Sequence, residues 1–339
     1  RINYLRLFMK MIFLLFMVCI LDMGCTILHT IAFLILIILN LLIILSKSCM
    51  VIEKLKKNIP WWLKIILKIV LSRLPINYQK WSLLNLFKHG YPENKFLYVE
   101  KFTKHYNLAF PDNKPNKFVC LELGPGDSIA TGIIANAFGA TKTYLIDVGN
   151  FAIQDINYYK EFSKELIEND IQTPDISSIN SFEELLSRFN IIYLKRGLQS
   201  FAQIADSSVD MIFSHSAIEH VRLKELPDIV AEMSRVISSD GVMSHNIDLM
   251  DHLNYSLNNL RFSEKRWESD FFAKSGFYTN RLRYSQLLDI FQDNNFTVVY
   301  KDKGEWSNFP IDLKKINKEF AVLSNNDLLI RTMHVVVRN

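Results

Sequence analysis

Residues 118–132 read FVCLELGPGDSIATG, and the architecture of the chain follows from how that run divides. Phe118 to Leu123 is an apolar run with the length of a strand buried on both faces. Gly124, Pro125, Gly126, Asp127 and Ser128 break it, and a helical pattern begins near Ser128 or Ile129. A strand passing through a glycine turn into a helix is the opening unit of a parallel sheet. Glycines there let the backbone approach a ligand closely, and the helix that follows presents free N–H groups. Thr143 to Ile146 forms the next expected strand and ends in Asp147, twenty-three residues after Gly124. An acid at that tip accepts hydrogen bonds from both hydroxyls of a ribose.

The same alternation continues outward. Ile191 to Lys195 is expected as the third strand and Val209 to Ser214 as the fourth. A helix (LPDIVAEMSRVI), a Ser-Ser-Asp-Gly turn and a fifth strand from Val242 come next, and FTVVY and MHVVVRN supply the last two strands. The predicted fold class is α/β, a Rossmann-like, doubly wound, mostly parallel seven-stranded sheet. The mixed-charge helical text from about 150 to 190 predicts an inserted helical pair, either over the site or as an ordinary solvated insertion.

The turn decides the nucleotide. A dinucleotide site wants GxGxxG so that pyrophosphate sits on the helix N-terminus. Here the third glycine is missing, Asp127 faces that position, and Glu122 adds a second carboxylate. Paired carboxylates repel pyrophosphate and suit a ligand with an ammonium and a sulfonium, namely S-adenosylmethionine. On Glu122, Gly124 and Gly126, with Asp147 and the segments DSSVDMIFSHSAIEHV and RVISSDGVM, the chain resembles the class I S-adenosylmethionine-dependent methyltransferases over residues 118–339. That resemblance implies a cofactor site of Glu122, Gly124, Pro125, Gly126, Asp147 and Ser214, with Gly197 and Leu198 at adenine. Asp127 and Ser128 replace the family's usual next glycine, so the methionine contacts differ in detail. An NAD-dependent sugar-nucleotide enzyme and a catalytically degenerate tether are the competing readings.

Methyl transfer to a hydroxyl needs a base. His215, at the end of the fourth strand, and the run SHNIDLMDHLNY, which clusters His245, Asp248, Asp251 and His252, supply candidates. His245 or Asp248 is expected as the base, with Asp251 or His252 orienting it. His245 and Asp248 share a face in a helix and point oppositely in a strand. His220 is expected to be structural. A divalent ion held by His and Asp for a sugar diol is the rival explanation, and no metal is assigned. Arg281, Arg283 and Trp267, within FSEKRWESDFFAKSGFYTNRLRYSQLLDIF, belong either to a lid for an anionic or glycan acceptor or to a plain surface helix with an aromatic underside.

The rest of the 339 residues is different in kind. Positions 1–89 carry twelve basic and two acidic side chains, a charge of +10, against −6 for the remainder. That split points to an anionic surface touched by the arm alone and argues against nucleic acid. Met23 to Ser46 runs twenty-four positions without a charge. At 1.5 Å per residue this reaches about 36 Å, enough to span a bilayer core. Residues 1–46 therefore read as a membrane anchor, with a transmembrane helix at about 23–46. Lys47, Lys54, Lys56, Lys57 and Lys64 follow it and place the catalytic domain in the cytoplasm. Residues 47–117 read as a basic, juxtamembrane helical region. Within it, PWWLKIILKIVLSRL, with Lys64, Lys68 and Ser72 four residues apart, predicts an amphipathic helix in the headgroup layer or one packed on the body. The expected partners are the lipid bilayer and a small-molecule or lipid-linked glycan acceptor. Cys19, Cys25, Cys49 and Cys120 show neither CxxC nor zinc spacing, and Cys49 is a juxtamembrane palmitoylation candidate.

Overall fold

The structure, a computed structural model, describes residues 59–73 and 94–339. Its centre is a seven-stranded sheet in the order β3-β2-β1-β4-β5-β7-β6. The strands are β1 (Phe118–Leu123), β2 (Ala140–Ile146), β3 (Ile191–Leu194), β4 (Val209–His215), β5 (Ile237–Asp248), β6 (Thr297–Glu305) and β7 (Ile330–Arg338). β3, β2, β1, β4 and β5 run parallel, and β7 lies antiparallel to both β5 and β6. The strand order reverses beside β1, which pairs with both β2 and β4. A crevice outside the carboxyl ends of the strands forms at such a switch point.

Alternate side chains of each central strand enter two separate cores, which is why the strands read as nearly continuous apolar runs. On one face, Phe118, Cys120, Met211, Phe213, Val242 and Val336 pack under α2 (Phe96–Ala109), α3 (Ala130–Ala137), α4 (Ile156–Glu168) and α5 (Phe182–Arg188). On the other, Leu121, Leu123, Ile212, Met243, Val335 and Val337 pack under α6 (Leu226–Val236) and α9 (Tyr284–Asp293). Between these lie the short helices α7 (Glu264–Trp267) and α8 (Asp270–Ala273), and α10 (Asn325–Leu329) precedes β7.

Two expectations change. The catalytic body does not begin at 118, because Tyr98, Phe102 and Tyr106 of α2 are buried in the first core. No turn separates α6 from β5: Val209 pairs with Ile237 and Met211 with Val242, so residues 238–241 are taken up as a bulge within the strand. The helices of the 150–190 stretch are capped by Asp155 and Ser181, and their apolar faces enter the first core.

α1 (Trp61–Leu71) packs on the body rather than presenting its lysines outward. Ile65 and Leu71 are buried, Ile65 in a cluster with Leu253, Trp267, Phe272, Phe277 and Tyr278. Lys64 Nζ donates to Leu253 O at 2.7 Å and Lys68 Nζ to Gly276 O at 3.1 Å, so the basic stripe is satisfied by protein carbonyls. Ile65→Ala is expected to lower unfolding stability by about 2 kcal/mol in urea titrations, whereas a helix lying only in headgroups would leave it unchanged. Among the described residues no helix is long and apolar enough to cross a membrane. The expected span at 23–46 lies outside them, as do Cys19, Cys25 and Cys49.

Candidate functional site

The turn after β1 folds as its glycines require. Gly124 and Gly126 hold φ of +76° and +68°, in the left-handed region that favours glycine. A Cβ on Gly124 would lie 2.5 Å from Ala217 Cβ, so this turn touches the loop that leaves β4. Gly124 N–H donates to Ile146 O at 2.8 Å and Gly126 N–H to Asp147 Oδ2 at 3.0 Å, which joins the turn to the end of β2. Asp147 Oδ1 accepts from Val148 N–H at 2.7 Å. Gly197, with φ +53°, donates its N–H to Asp147 O at 2.9 Å. Glu122, Gly124, Gly126, Asp147 and Gly197, far apart in sequence, therefore form one corner. Pro125 is buried inside the turn between its two glycines.

Carboxylates crowd this corner. Burial pushes Glu122 up to about 7; Lys101 of α2 and the Thr131 hydroxyl, which donates to its Oε2, oppose the shift, and Asp147 adds to it. Burial likewise raises Asp147 to about 6, against the N–H bonds of Val148 and Gly126 and with repulsion from Asp127. A cationic ligand relieves this repulsion, and each Asp147 oxygen keeps lone-pair capacity for a hydroxyl donor. The segment after β2 folds back over the turn. Ile153 N–H donates to Asp127 O at 2.8 Å, and Tyr193 Oη accepts from Phe151 and Ala152 N–H at 3.1 and 3.3 Å.

One expected cofactor contact goes elsewhere. Ser214 is fully buried, and its Oγ shares a 2.8 Å hydrogen bond with His245 Nδ1 beneath the α9 face. Leu198 packs beside the second core and lines a shallow depression with Ala202, Asp228 and Arg235.

β5 continues as strand through Asp248, so His245 and Asp248 point to opposite faces. The His245 ring is fully buried and stacks on Phe291 of α9, with ring centroids 5.4 Å apart. Burial lowers its pKa to about 3, and His245 is a core residue rather than the base. His215 is half-buried at the end of β4, and its Nδ1 lies 3.3 Å from His105 Nε2. A chain of contacts continues through Ser244 Oγ, 2.8 Å from His105 Nδ1 and 2.9 Å from His334 Nε2. Burial, with nearby Lys101 and His334, lowers His215 to about 3, which makes it a weak proton acceptor. His105 and Lys101 come from α2, outside the stretch that the sequence marked as catalytic.

Asp248 Oδ1 accepts from Met250 N–H at 2.8 Å, and its Oδ2 lies 3.7 Å from His252 Nε2. Asp251 orients no base. Buried, it accepts the N–H groups of Leu253, Asn254 and Asn258 and closes the loop after β5. The candidate lid is also core. Trp267 is fully buried and donates Nε1–H to Thr279 O at 2.8 Å, Arg281 donates to Phe262 O at 2.7 Å, and the buried Arg283 donates to the carbonyls of Leu249, Asp327 and Ile330. These guanidiniums serve backbone carbonyls and hold the loops after β5 and before β7 together.

The histidines set an acid limit on the fold. His215, His245 and His334 fall to about 3, 3 and 4 through burial, so between pH 6.5 and those values only the unfolded chain is protonated. Stability from these groups is full above 6.5 and falls with pH below it. Glu122, raised to about 7, has the opposite slope between 4.5 and 7. His245→Leu is therefore expected to flatten the decline of the urea midpoint between pH 6.5 and 4; an unchanged slope would mean that His245 is protonated in the fold.

A family model described as methyltransferase domain matches residues 121–244. No curated protein sequence matches the chain. Similar solved structures include an S-adenosylmethionine-dependent methyltransferase from Mesorhizobium loti, 11% identical, with a TM-score of 0.38 over 74% of this chain and 100% of that one. The YcgJ protein from Bacillus subtilis is 12% identical, with a TM-score of 0.37 over 73% and 100%. The Burkholderia thailandensis 1,6-didemethyltoxoflavin-N1-methyltransferase, solved with its substrate and S-adenosylhomocysteine, is 9% identical, with a TM-score of 0.39 over 71% and 78%.

Proposed function

We propose that the chain is a membrane-anchored class I S-adenosylmethionine-dependent methyltransferase that O-methylates a membrane-associated or glycan-type acceptor on the cytoplasmic face, and the methyltransferase-domain match over residues 121–244 supports the methyltransferase part of this reading. The observation that carries the reading is the joined corner in which Gly126 N–H meets Asp147 Oδ2 above the buried Glu122. Asp147 would hold the ribose hydroxyls, and Glu122 with Asp127 would supply the negative field for the methionine end. The bound cofactor supplies an activated methyl group on a sulfonium, so the chain's own residues need only align the acceptor, exclude water and accept a proton.

The anchor rests on the uncharged run from Met23 to Ser46 and on the lysines after it. In this reading residues 1–46 hold the enzyme at the bilayer, and the acceptor class follows from that placement. The test uses the full chain in detergent and in membranes. Titration calorimetry is expected to show saturable S-adenosylmethionine binding, and a labelled methyl group should appear in the lipid or lipid-linked glycan fraction. No binding at millimolar cofactor would overturn the enzyme reading. Label confined to soluble small molecules would overturn the acceptor class.

A further inference from the structure

Past the end of β4 a second group of side chains converges that the cofactor corner does not use. Glu219, His220 and His252 place one ligand atom each within 4.8 Å of one another, and the two imidazole rings are 4.7 Å apart. Glu219 is 2% exposed; its Oε1 accepts the Asp248 N–H at 3.3 Å, while the buried Oε2 has no hydrogen-bond partner. A buried carboxylate oxygen without a partner is costly unless something cationic meets it. His220 Nδ1 lies 3.0 Å from Tyr278 O. A carbonyl only accepts, so Nδ1 carries the proton and Nε2 the lone pair. This backbone-oriented imidazole is the arrangement that metal-bound histidines show. Asp248 Oδ2 lies 3.7 Å from His252 Nε2, longer than a hydrogen bond but close enough to act on the second imidazole as an ion-pair partner.

We propose that Glu219, His220 and His252 bind a divalent metal ion, with Asp248 as the outer carboxylate. Two imidazoles and one carboxylate suit Zn2+, Mn2+ or Co2+ better than Mg2+ or Ca2+, which prefer oxygen alone. Three protein ligands leave coordination positions open for an acceptor oxygen. The group lies two residues beyond Ala217, the residue against which Gly124 of the cofactor turn packs. An ion there would lower the pKa of a bound acceptor hydroxyl. That role rests on the methyl-transfer reading, whereas metal binding does not.

The test is a titration of the untagged full chain in detergent, stripped with a chelator, with Zn2+ or Mn2+ and no S-adenosylmethionine. One equivalent is expected to bind saturably, and Co2+ should give visible bands of a nitrogen-ligated, low-coordinate site. His252→Ala, whose ring is half-buried rather than core, and His220→Ala should each weaken binding at least tenfold while S-adenosylmethionine affinity stays at the wild-type value. Absence of saturable metal binding by the wild type, or wild-type affinity in both variants, would overturn the site. Because cofactor affinity is measured on the same samples without metal, failure of the metal site is distinguishable from failure of the methyltransferase reading.

Discussion

Gly124→Ala is expected to destabilise the fold by about 2–4 kcal/mol and to abolish measurable methyl transfer. Two penalties act together. At φ +76° a Cβ costs about 1 kcal/mol, and placing it 2.5 Å from Ala217 Cβ forces an overpacking shift of roughly 1–3 kcal/mol. The neighbour is anchored to the backbone and cannot swing aside. Relief must come from moving the turn or the loop after β4, and the turn carries the Gly124 and Gly126 N–H groups that join it to β2. Urea unfolding and cofactor calorimetry on the same preparation check the result; wild-type values for both would show that the turn is not packed as described.

Asp147→Ala is expected to lower cofactor affinity in a chain that still folds. Loss of charge-assisted hydrogen bonds to the ribose should weaken S-adenosylmethionine binding by about 1–3 kcal/mol, roughly five- to 150-fold. The fold should survive the change at a cost of about 1–3 kcal/mol, because the Gly126 and Val148 N–H groups lose their acceptor, offset in part by removal of a carboxyl that burial has raised to about 6. The sign of the pH effect follows. A carboxyl whose pKa is raised in the fold makes the fold more stable when protonated, so its contribution declines as pH rises from 3.8 through 6. In the proposed site a ribose needs the opposite form of Asp147, so wild-type affinity is expected to fall as pH drops below about 6. Calorimetry at pH 5 and 7.5 on wild type and variant checks this, and the variant should lose the pH dependence. An affinity unchanged by the substitution would remove Asp147 from the site.

Sequence alone determined β1, the glycine turn, the acid at the end of β2 and the seven-stranded order of elements, because each depends on short-range properties: an apolar run, a positive φ, a strand terminus. It also marked the uncharged run at 23–46, whose meaning depends on length and the absence of charge. Tertiary structure decided which side chains meet. β5, bulged at 238–241 and regular from Val242 to Asp248, sends His245 into the core under Phe291 and Asp248 to the other face, a choice that one residue of register would reverse. Arg283 looks like a ligand-binding cation until the loops around it deliver three carbonyls. Glu219 and His220 meet His252 only because the parallel pairing of β4 and β5 brings their carboxyl ends to one edge. Local chemistry is written along the chain, but the partner of a buried polar atom is set by contacts between distant segments.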